Sequence, residues 1–206
     1  MTTLRIAVLG AGKIGGTLGR KWTAAGHQVA YGVRDPQTAD AQALRQSGDQ
    51  VTVEQISEAL ATDPQVVLMA VPGGVMEATI TAHAAQLNGR TIIDAANRMG
   101  SDRTDSWTLF QTHTPAAQIY RAFNTYGYEN FANPSFVGVQ ADLFYAGPEG
   151  ESLTQVEQLI RDIGLRPVRL GGADQIPTVD ALLMVWFALA RARGRRLAFK
   201  MLTDEA

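Results

Sequence analysis

The sequence contains no cysteine, only three histidines, and no excess of charge of either sign. The absence of cysteine excludes disulfide bonds, thiolate catalysis, cysteine-ligated zinc and iron–sulfur clusters. Eighteen basic residues face 20 acidic ones, for a formal net charge of −2. That balance argues against a general nucleic-acid-binding protein, which normally carries a basic excess.

Long hydrophobic runs are also missing from the sequence. The longest, residues 181–190, is roughly half of the ~20 residues needed to cross a bilayer. The first residues show no basic segment followed by an apolar stretch and a cleavage site, so we expect no signal peptide. With 46% hydrophobic residues in 206, the chain has a globular composition. We therefore expect a cytoplasmic protein without a membrane or nucleic-acid partner.

Segments with strand character alternate with helical patterns along most of the chain. Strands are predicted near residues 4–9, 29–31, 51–53, 66–71, 91–94, 119–123, 142–146 and 167–170. This alternation predicts an α/β fold, a Rossmann-like, doubly wound and mainly parallel sheet with a small C-terminal helical extension. We predict one domain over residues 1–206, with a dinucleotide-binding core to about residue 170 and a helical cover from about 171 to 206.

A glycine-rich loop follows the first predicted strand and opens the first predicted helix. Its pattern is G-x-G-x-x-G, and its residues are Gly10, Ala11, Gly12, Lys13, Ile14 and Gly15. In this context the first glycine allows a tight turn, the second lets a pyrophosphate approach the backbone, and the third lets the helix pack against the strand. The sequence therefore predicts a dinucleotide site at the amino end of this helix.

The end of the second predicted strand bears on which dinucleotide binds. NAD sites usually place Asp or Glu there to bind the ribose hydroxyls. Here the strand is predicted to close on Gly32, followed by Val33 and Arg34. A guanidinium can bind a 2′-phosphate through two hydrogen bonds, which favours NADP. Asp35 leaves NAD as an alternative, because its carboxylate could bind the ribose hydroxyls although it lies beyond the usual position at the strand end.

Several common reductase mechanisms lack their residues in this sequence. No tyrosine has a lysine four residues later, as short-chain reductases require for proton donation. The chain has only three lysines, at positions 13, 21 and 200, which weakens the case for an enzyme with a catalytic lysine in a large helical second domain. His27 and His83 are expected at the surface, and no histidine shows metal-ligand spacing. We predict no catalytic side chain and no metal site.

Motifs along nearly the whole chain together resemble the coenzyme F420-dependent NADP oxidoreductase family. They are the glycine loop, Gly32-Val33-Arg34-Asp35, Ala70-Val71-Pro72, Ala122-Phe123-Asn124-Thr125, Phe131-Ala132-Asn133-Pro134 and Leu197-Ala198-Phe199-Lys200. In that family hydride passes directly between the nicotinamide and the deazaflavin ring. Archaeal members tend to have Ser where Val33 stands and His-Thr where Asn124-Thr125 stands.

The resemblance implies a role for each matching position. Gly10, Ala11, Gly12, Lys13 and Ile14 would hold the pyrophosphate. Val33 and Arg34 would face the 2′-phosphate, while Ala70, Val71 and Pro72 would lie beside the nicotinamide ribose. Asn124 and Tyr126 would line the deazaflavin side of the pocket. The implied cofactors are NADP and, as co-substrate, F420 or a flavin.

Three functions remain open at this point. The first is an NADP(H)-dependent oxidoreductase whose partner is a small-molecule redox acceptor, either F420 or a flavin-like compound. The others are a non-catalytic NADPH-binding sensor and a small carbonyl or imine reductase. The apolar segment near the C-terminus also predicts a homodimer, with Leu183, Trp186 and Phe187 mostly buried against a partner chain or beside the acceptor.

Overall fold

The structure is a computed structural model that describes residues 2–204. Strands and helices alternate along most of it. The strands are β1 (Arg5–Leu9), β2 (Gln28–Val33), β3 (Val51–Gln55), β4 (Val66–Met69), β5 (Thr91–Asp94), β6 (Gln118–Arg121), β7 (Ser135–Phe136), β8 (Val139–Gln140), β9 (Asp142–Ala146) and β10 (Arg166–Gly171). The helices are α1 (Lys13–Ala24), α2 (Ala39–Arg45), α3 (Ile56–Ala61), α4 (Met76–Ala82), α5 (Ala84–Leu87), α6 (Trp107–His113), α7 (Tyr128–Ala132), α8 (Glu151–Asp162) and α9 (Ile176–Arg193).

Eight of the strands form one sheet in the order β10-β9-β6-β5-β4-β1-β2-β3. All neighbouring pairs in it run parallel except β6 and β9, which are antiparallel. The prediction of a Rossmann-like, mainly parallel sheet with a C-terminal helix is confirmed. The chain leaves β1 on one side for β2 and returns on the other side with β4. This reversal opens a crevice at the carboxyl ends of β1 and β4, where α/β folds bind their ligands.

The helix α1 is anchored to the core by one apolar stripe. Leu18 and Trp22 on that stripe are fully buried, and the Trp22 indole Nε1 donates to the Leu159 carbonyl oxygen at 2.9 Å. Gly26, just past the end of the helix, has φ of +92°, as expected for a residue that terminates a helix. These contacts hold α1, which begins at the glycine loop, against the core.

The sequence prediction placed the ends of several strands wrongly, including those of β2 and β6. β2 continues through Gly32 to Val33, because Gly32 pairs with residues of both β1 and β3. A Cβ at Gly32 would lie 2.7 Å from the Leu9 Cδ2 atom. The glycine therefore leaves room for the Leu9 side chain and does not end the strand. β6 ends at Arg121, because Phe123 turns into the left-handed region with φ of +60°.

Other sequence expectations also differ from the structure. The helix predicted from about residue 75 to 86 is two helices, α4 and α5, separated at His83. The segment expected as a loop over residues 124–134 contains α7, and the hairpin β7–β8 follows it. His27 is buried rather than exposed: its Nδ1 accepts from the Leu4 amide at 3.0 Å, and its Nε2 lies 2.8 Å from the Asp162 Oδ2.

The C-terminal helix α9 is the most apolar of the three long helices. Its residues Leu183 and Trp186 are buried against the protein's own core, while Met184, Val185 and Leu189 are exposed. The segment Ala173–Arg193, with mean hydropathy 1.2, is long and apolar enough to cross a membrane. Core helices of soluble proteins satisfy the same criteria, so this observation alone is weak evidence for a membrane.

Candidate functional site

The glycine loop sits in the crevice between β1 and β4. Gly10 has φ of +100°, and a Cβ there would lie 2.6 Å from the carbonyl oxygen of Ala70, just past β4. A Cβ at Gly15 would lie 2.0 Å from the Gly10 carbonyl oxygen. Only glycine fits at these two positions, because any side chain would collide with backbone. They hold the loop, the helix and the strand ends together.

Gly12 differs from the other two glycines of the motif. No heavy atom lies within 4 Å of the position that its Cβ would take. Gly12 is also the residue that precedes the first turn of α1, where no side chain caps the helix. The first amide groups of a helix lack partners within the helix and favour an anion. The open space at Gly12 therefore fits the pyrophosphate of a dinucleotide, the role predicted for this residue.

A first cavity of about 510 Å³ lies between the glycine loop and the end of β2. Its lining includes Gly10 and Ala11 of the loop, Val33 and Arg34 after Gly32, and Val71 and Pro72 after β4. Further lining comes from Gln55, Ile56, Ser57, Val75, Thr79 and His83. The volume is typical of a small-molecule site.

Arg34 and Asp35 differ in what surrounds them. Arg34 is exposed where it lines the first cavity, and its guanidinium is the cationic group of that lining. The Asp35 Oδ1 instead accepts from the Gln37 amide at 2.9 Å, which folds the aspartate into a local turn. Asp35 does not line the cavity. The arrangement favours a 2′-phosphate over bare ribose hydroxyls.

A second cavity of about 600 Å³ begins at the next residues of the loop, Lys13 and Ile14. One wall is apolar and consists of Leu183, Trp186 and Phe187 of α9. The remaining lining is largely polar and comprises Asn97, Asn124, Thr125, Tyr126, Gly127, Tyr128, Glu129 and Arg195. Most of the predicted residues thus line one of two cavities that share the glycine loop, whereas Gly12, Gly15 and Ala70 line neither.

Tyr126 lines the second cavity but has both hydrogen-bonding roles of its hydroxyl occupied. The hydroxyl donates to the Asp142 carbonyl oxygen at 2.7 Å and accepts from the Phe199 amide at 2.9 Å. Burial raises the pKa of the Tyr126 phenol above its ordinary value. Tyr126 therefore anchors the C-terminal tail and is not placed to transfer a proton.

The C-terminal tail closes the second cavity from one side. Arg195 pairs with Glu129 of α7, with 2.9 Å between Nε and Oε1, and its guanidinium lies over the Trp186 ring at 5.3 Å. Farther along, the buried Asp142 carboxylate accepts from Arg166, from Lys200 and from the Met201 amide at 2.6–2.9 Å. These hydrogen bonds outweigh the effect of burial and lower the pKa of Asp142.

A largely buried polar cluster lies next to the second cavity, and Asn124 is the one residue of it that was predicted from the sequence. It consists of Asp94, Asn97, Arg121, Asn124 and Asp180. Its centre is Arg121, which is 0% exposed and at the end of β6. Each residue comes from a different strand end, loop or helix, so no local motif could reveal it. An arginine that ends a buried strand was the one available signal, because a buried guanidinium needs acceptors.

The turn that follows β6 presents Asn124 to the second cavity. The positive φ of Phe123 is unusual for a bulky residue and is held by ring packing. Its ring lies edge-on to Trp22 at 5.9 Å and to Phe131 at 5.6 Å between centroids. Aromatic packing in the core therefore determines where Asn124 stands.

Metal ligands are not grouped in residues 2–204: no cluster of three or more His, Asp or Glu side chains could hold an ion there.

The sheet order, the glycine loop and the open helix terminus define a Rossmann-like dinucleotide-binding protein. Residues 5–98 match the family model described as NADP oxidoreductase, coenzyme F420-dependent. This match confirms the resemblance over residues 5–98, which include the glycine loop, Gly32-Val33-Arg34-Asp35 and Ala70-Val71-Pro72, and it indicates an NADP-dependent oxidoreductase. No curated protein compared with the chain matches its sequence.

Solved structures share the fold over most of the chain. A candidate F420-dependent NADP reductase from Arthrobacter sp. FB24 has a TM-score of 0.84 and 24% identity, over 97% of this chain and 100% of that one. The hypothetical protein SMa0349 from Sinorhizobium meliloti has a TM-score of 0.68 and 29% identity, over 84% and 86% of the two chains. An imine reductase from Pseudomonas sp. has a TM-score of 0.70 and 18% identity, over 93% of this chain and 64% of the other.

Proposed function

We propose that this protein transfers a hydride between NADP(H) and a deazaflavin such as coenzyme F420, or a flavin-like compound. The observation that carries the proposal is that one glycine loop lines two cavities, with residues 10–11 in the first and 13–14 in the second. A dinucleotide held by the loop has room on both sides of it. Such an arrangement suits a reaction that depends on bringing two rings together.

The first cavity and the loop supply the groups for the dinucleotide. Gly12 leaves space for the pyrophosphate, and the first turn of α1 offers amides to it. Arg34 provides a cation for the 2′-phosphate, while Val71 and Pro72 line the cavity at the end of β4. When bound, the dinucleotide supplies or accepts the hydride.

The second cavity supplies the surroundings of the acceptor. Its wall of Leu183, Trp186 and Phe187 offers apolar surface to a planar ring and excludes water from it. The Tyr126 hydroxyl already makes two hydrogen bonds to the backbone, so its phenol does not transfer a proton in this reaction. Rate acceleration would come mainly from positioning two rings in a dry slot.

The experiment that tests the proposal is steady-state oxidation of NADPH with three acceptors: F420, FMN and simple carbonyl compounds. We expect turnover with F420 or FMN. Turnover with carbonyl or imine substrates alone would support the alternative reductase, which the fold of the Pseudomonas imine reductase makes worth testing. NADPH binding without any turnover would support a sensor.

We also propose that the protein is a homodimer formed through the exposed side of α9. Leu183 and Trp186 are buried within the chain, so the face available to a partner is that of Met184, Val185 and Leu189, which are 54%, 47% and 38% exposed. Leu189→Glu should give monomers in sedimentation, whereas Thr112→Glu on the exposed side of α6 should not. A monomeric wild type, or flotation of the protein with lipid vesicles, would contradict this proposal. A cytoplasmic location stays a prediction.

A further inference from the structure

The polar cluster fixes the orientation of the Asn124 side chain. The Asn124 Nδ2 donates to the Asp180 Oδ1 at 3.1 Å. A carboxylate only accepts hydrogen bonds, so the amide must turn its nitrogen to Asp180 and its oxygen away. The Asn124 carbonyl is held as well, since it accepts from the Asn97 Nδ2 at 2.9 Å.

Arg121 keeps the partners of Asn124 in place. Its Nε donates to the Asp180 Oδ1 at 2.8 Å, and its Nη2 donates to the Asn97 Oδ1 at 2.7 Å. Its Nη1 donates to the carbonyl oxygens of Asp94 and Ala96. Because this buried cation occupies the acceptors around it, the cluster permits one arrangement of the two asparagine amides.

Two buried polar atoms beside the second cavity have no hydrogen-bond partner within residues 2–204. They are the Asn124 Oδ1 and the Thr125 Oγ1, and the two residues are 3% and 4% exposed. Buried polar atoms are nearly always paired in folded proteins, so these two point to a ligand. Oδ1 can only accept, whereas the threonine hydroxyl can donate.

We propose that the Asn124 Oδ1 and the Thr125 hydroxyl recognise the edge of an amide or imide, in which an N–H stands beside a carbonyl oxygen. Asn124 accepts from the N–H, Thr125 donates to the carbonyl, and Asp180 is the positioning residue that keeps the Asn124 amide turned correctly. This inference rests on the proposed function, in which the second cavity holds the acceptor. The same chemistry occurs in two molecules of that reaction: the imide ring of a deazaflavin and the carboxamide of the nicotinamide.

Paired ligands that differ only in the donor distinguish the two sources. The first pair is 5-deazariboflavin and its 3-methyl derivative, in which a methyl group replaces the hydrogen on the ring nitrogen N3. The second pair is NADP⁺ and its 3-acetylpyridine analogue, in which a methyl group replaces the carboxamide nitrogen. We expect the wild-type protein to bind the N–H member of one pair at least tenfold more tightly, measured as dissociation constants by fluorescence titration.

Variants assign the preference to these residues. Asn124→Leu removes the hydrogen-bond acceptor Oδ1 with little change in side-chain volume. Both members of the pair should then bind about equally. Asp180→Asn lets the Asn124 amide turn, so the preference should fall while both members of the pair still bind. A merely structural role for Asp180 would weaken both members equally. The wild-type comparison needs no variant, so it decides the matter even if the Asp180 variant does not fold.

The outcomes separate this inference from the proposed function. Equal binding of both members in both pairs, with NADPH-dependent reduction of 5-deazariboflavin intact, overturns the inference alone. Failure to oxidise NADPH with any deazaflavin or flavin overturns the proposed function. The inference then falls as well, unless NADP⁺ still binds at least tenfold more tightly than its 3-acetylpyridine analogue. A preference that persists unchanged in Asn124→Leu also overturns the inference.

Discussion

The two cavities beside the glycine loop are constructed in different ways. The first is shaped by backbone and small residues: two glycines that admit no side chain, an open helix terminus, and one exposed arginine. The second depends on side chains from distant parts of the chain, including a fully buried arginine and the apolar wall of α9. Apart from those two glycines, substitutions in the first should therefore change binding with little effect on folding, whereas substitutions behind the second should change folding as well.

The largest effect is expected from removing a carboxylate behind the second cavity. Asp180→Ala leaves the Arg121 Nε without its acceptor, and breaking a buried ion pair costs about 3–5 kcal/mol of unfolding free energy. Chemical denaturation measures this loss. Asp174→Ala, at an exposed carboxylate before α9, is the control and should change the free energy by less than about 0.5 kcal/mol. Equal values for the two variants would remove the contrast between the cavities.

A large but purely functional effect is expected at Gly12. Its backbone is extended, with φ of −68°, and a side chain there meets no atom within 4 Å. Gly12→Val should therefore fold normally yet weaken NADPH binding more than about a hundredfold, or about 2.7 kcal/mol, because the side chain takes the space of the pyrophosphate. Circular dichroism and titration with NADPH check both parts. The control is Gly15→Val, which should not fold because its side chain collides with the Gly10 carbonyl. Tight NADPH binding by a folded Gly12→Val variant would show that the loop does not hold the pyrophosphate.

The anchor of the C-terminal tail gives an effect that depends on pH. At pH 7 Asp142→Asn should cost about 1–2 kcal/mol, a value kept low because Arg166 and Lys200 are partly exposed. The pKa of Asp142 is lowered in the folded state, so its contribution is complete above the ordinary value of 3.8 and disappears as pH falls through the lower, folded value. Denaturation at pH 7 and below pH 3.8 should show the difference shrinking. A difference independent of pH would mean that the carboxylate charge does not hold the tail.

The smallest effect is expected at Arg34, in the first cavity. NADPH should bind at least tenfold more tightly than NADH, and Arg34→Ala should cost NADPH about 1.4 kcal/mol while leaving NADH nearly unchanged. Thermal stability should not change, because Arg34 is exposed. Equal losses for the two dinucleotides would show that the guanidinium does not bind the 2′-phosphate.

The same contrast explains what the sequence could predict. The glycine loop is recognisable from six consecutive residues between a strand and a helix, so its position was predicted correctly. The sheet type was also predicted correctly, because strands and helices alternate along the sequence. The polar cluster joins Asp94, Arg121 and Asp180, which lie 27 and 59 positions apart along the chain. Only the parallel pairing of β5 with β6 and the packing of α9 bring them together. His27 was misjudged for the same reason, since its partner Asp162 is 135 positions away.

Transfer of deuterium from NADPH labelled at C4 of the nicotinamide tests the central claim most directly, because direct transfer requires both ligands in adjoining cavities at once. A 5-deazaflavin keeps a transferred hydrogen on carbon, where it does not exchange with water. With label on one face of the ring, we predict that mass spectrometry finds one deuterium in the reduced deazaflavin. With the label on the other face, we predict none. Loss of the label to water, or no reduction with either labelled form, would contradict the account.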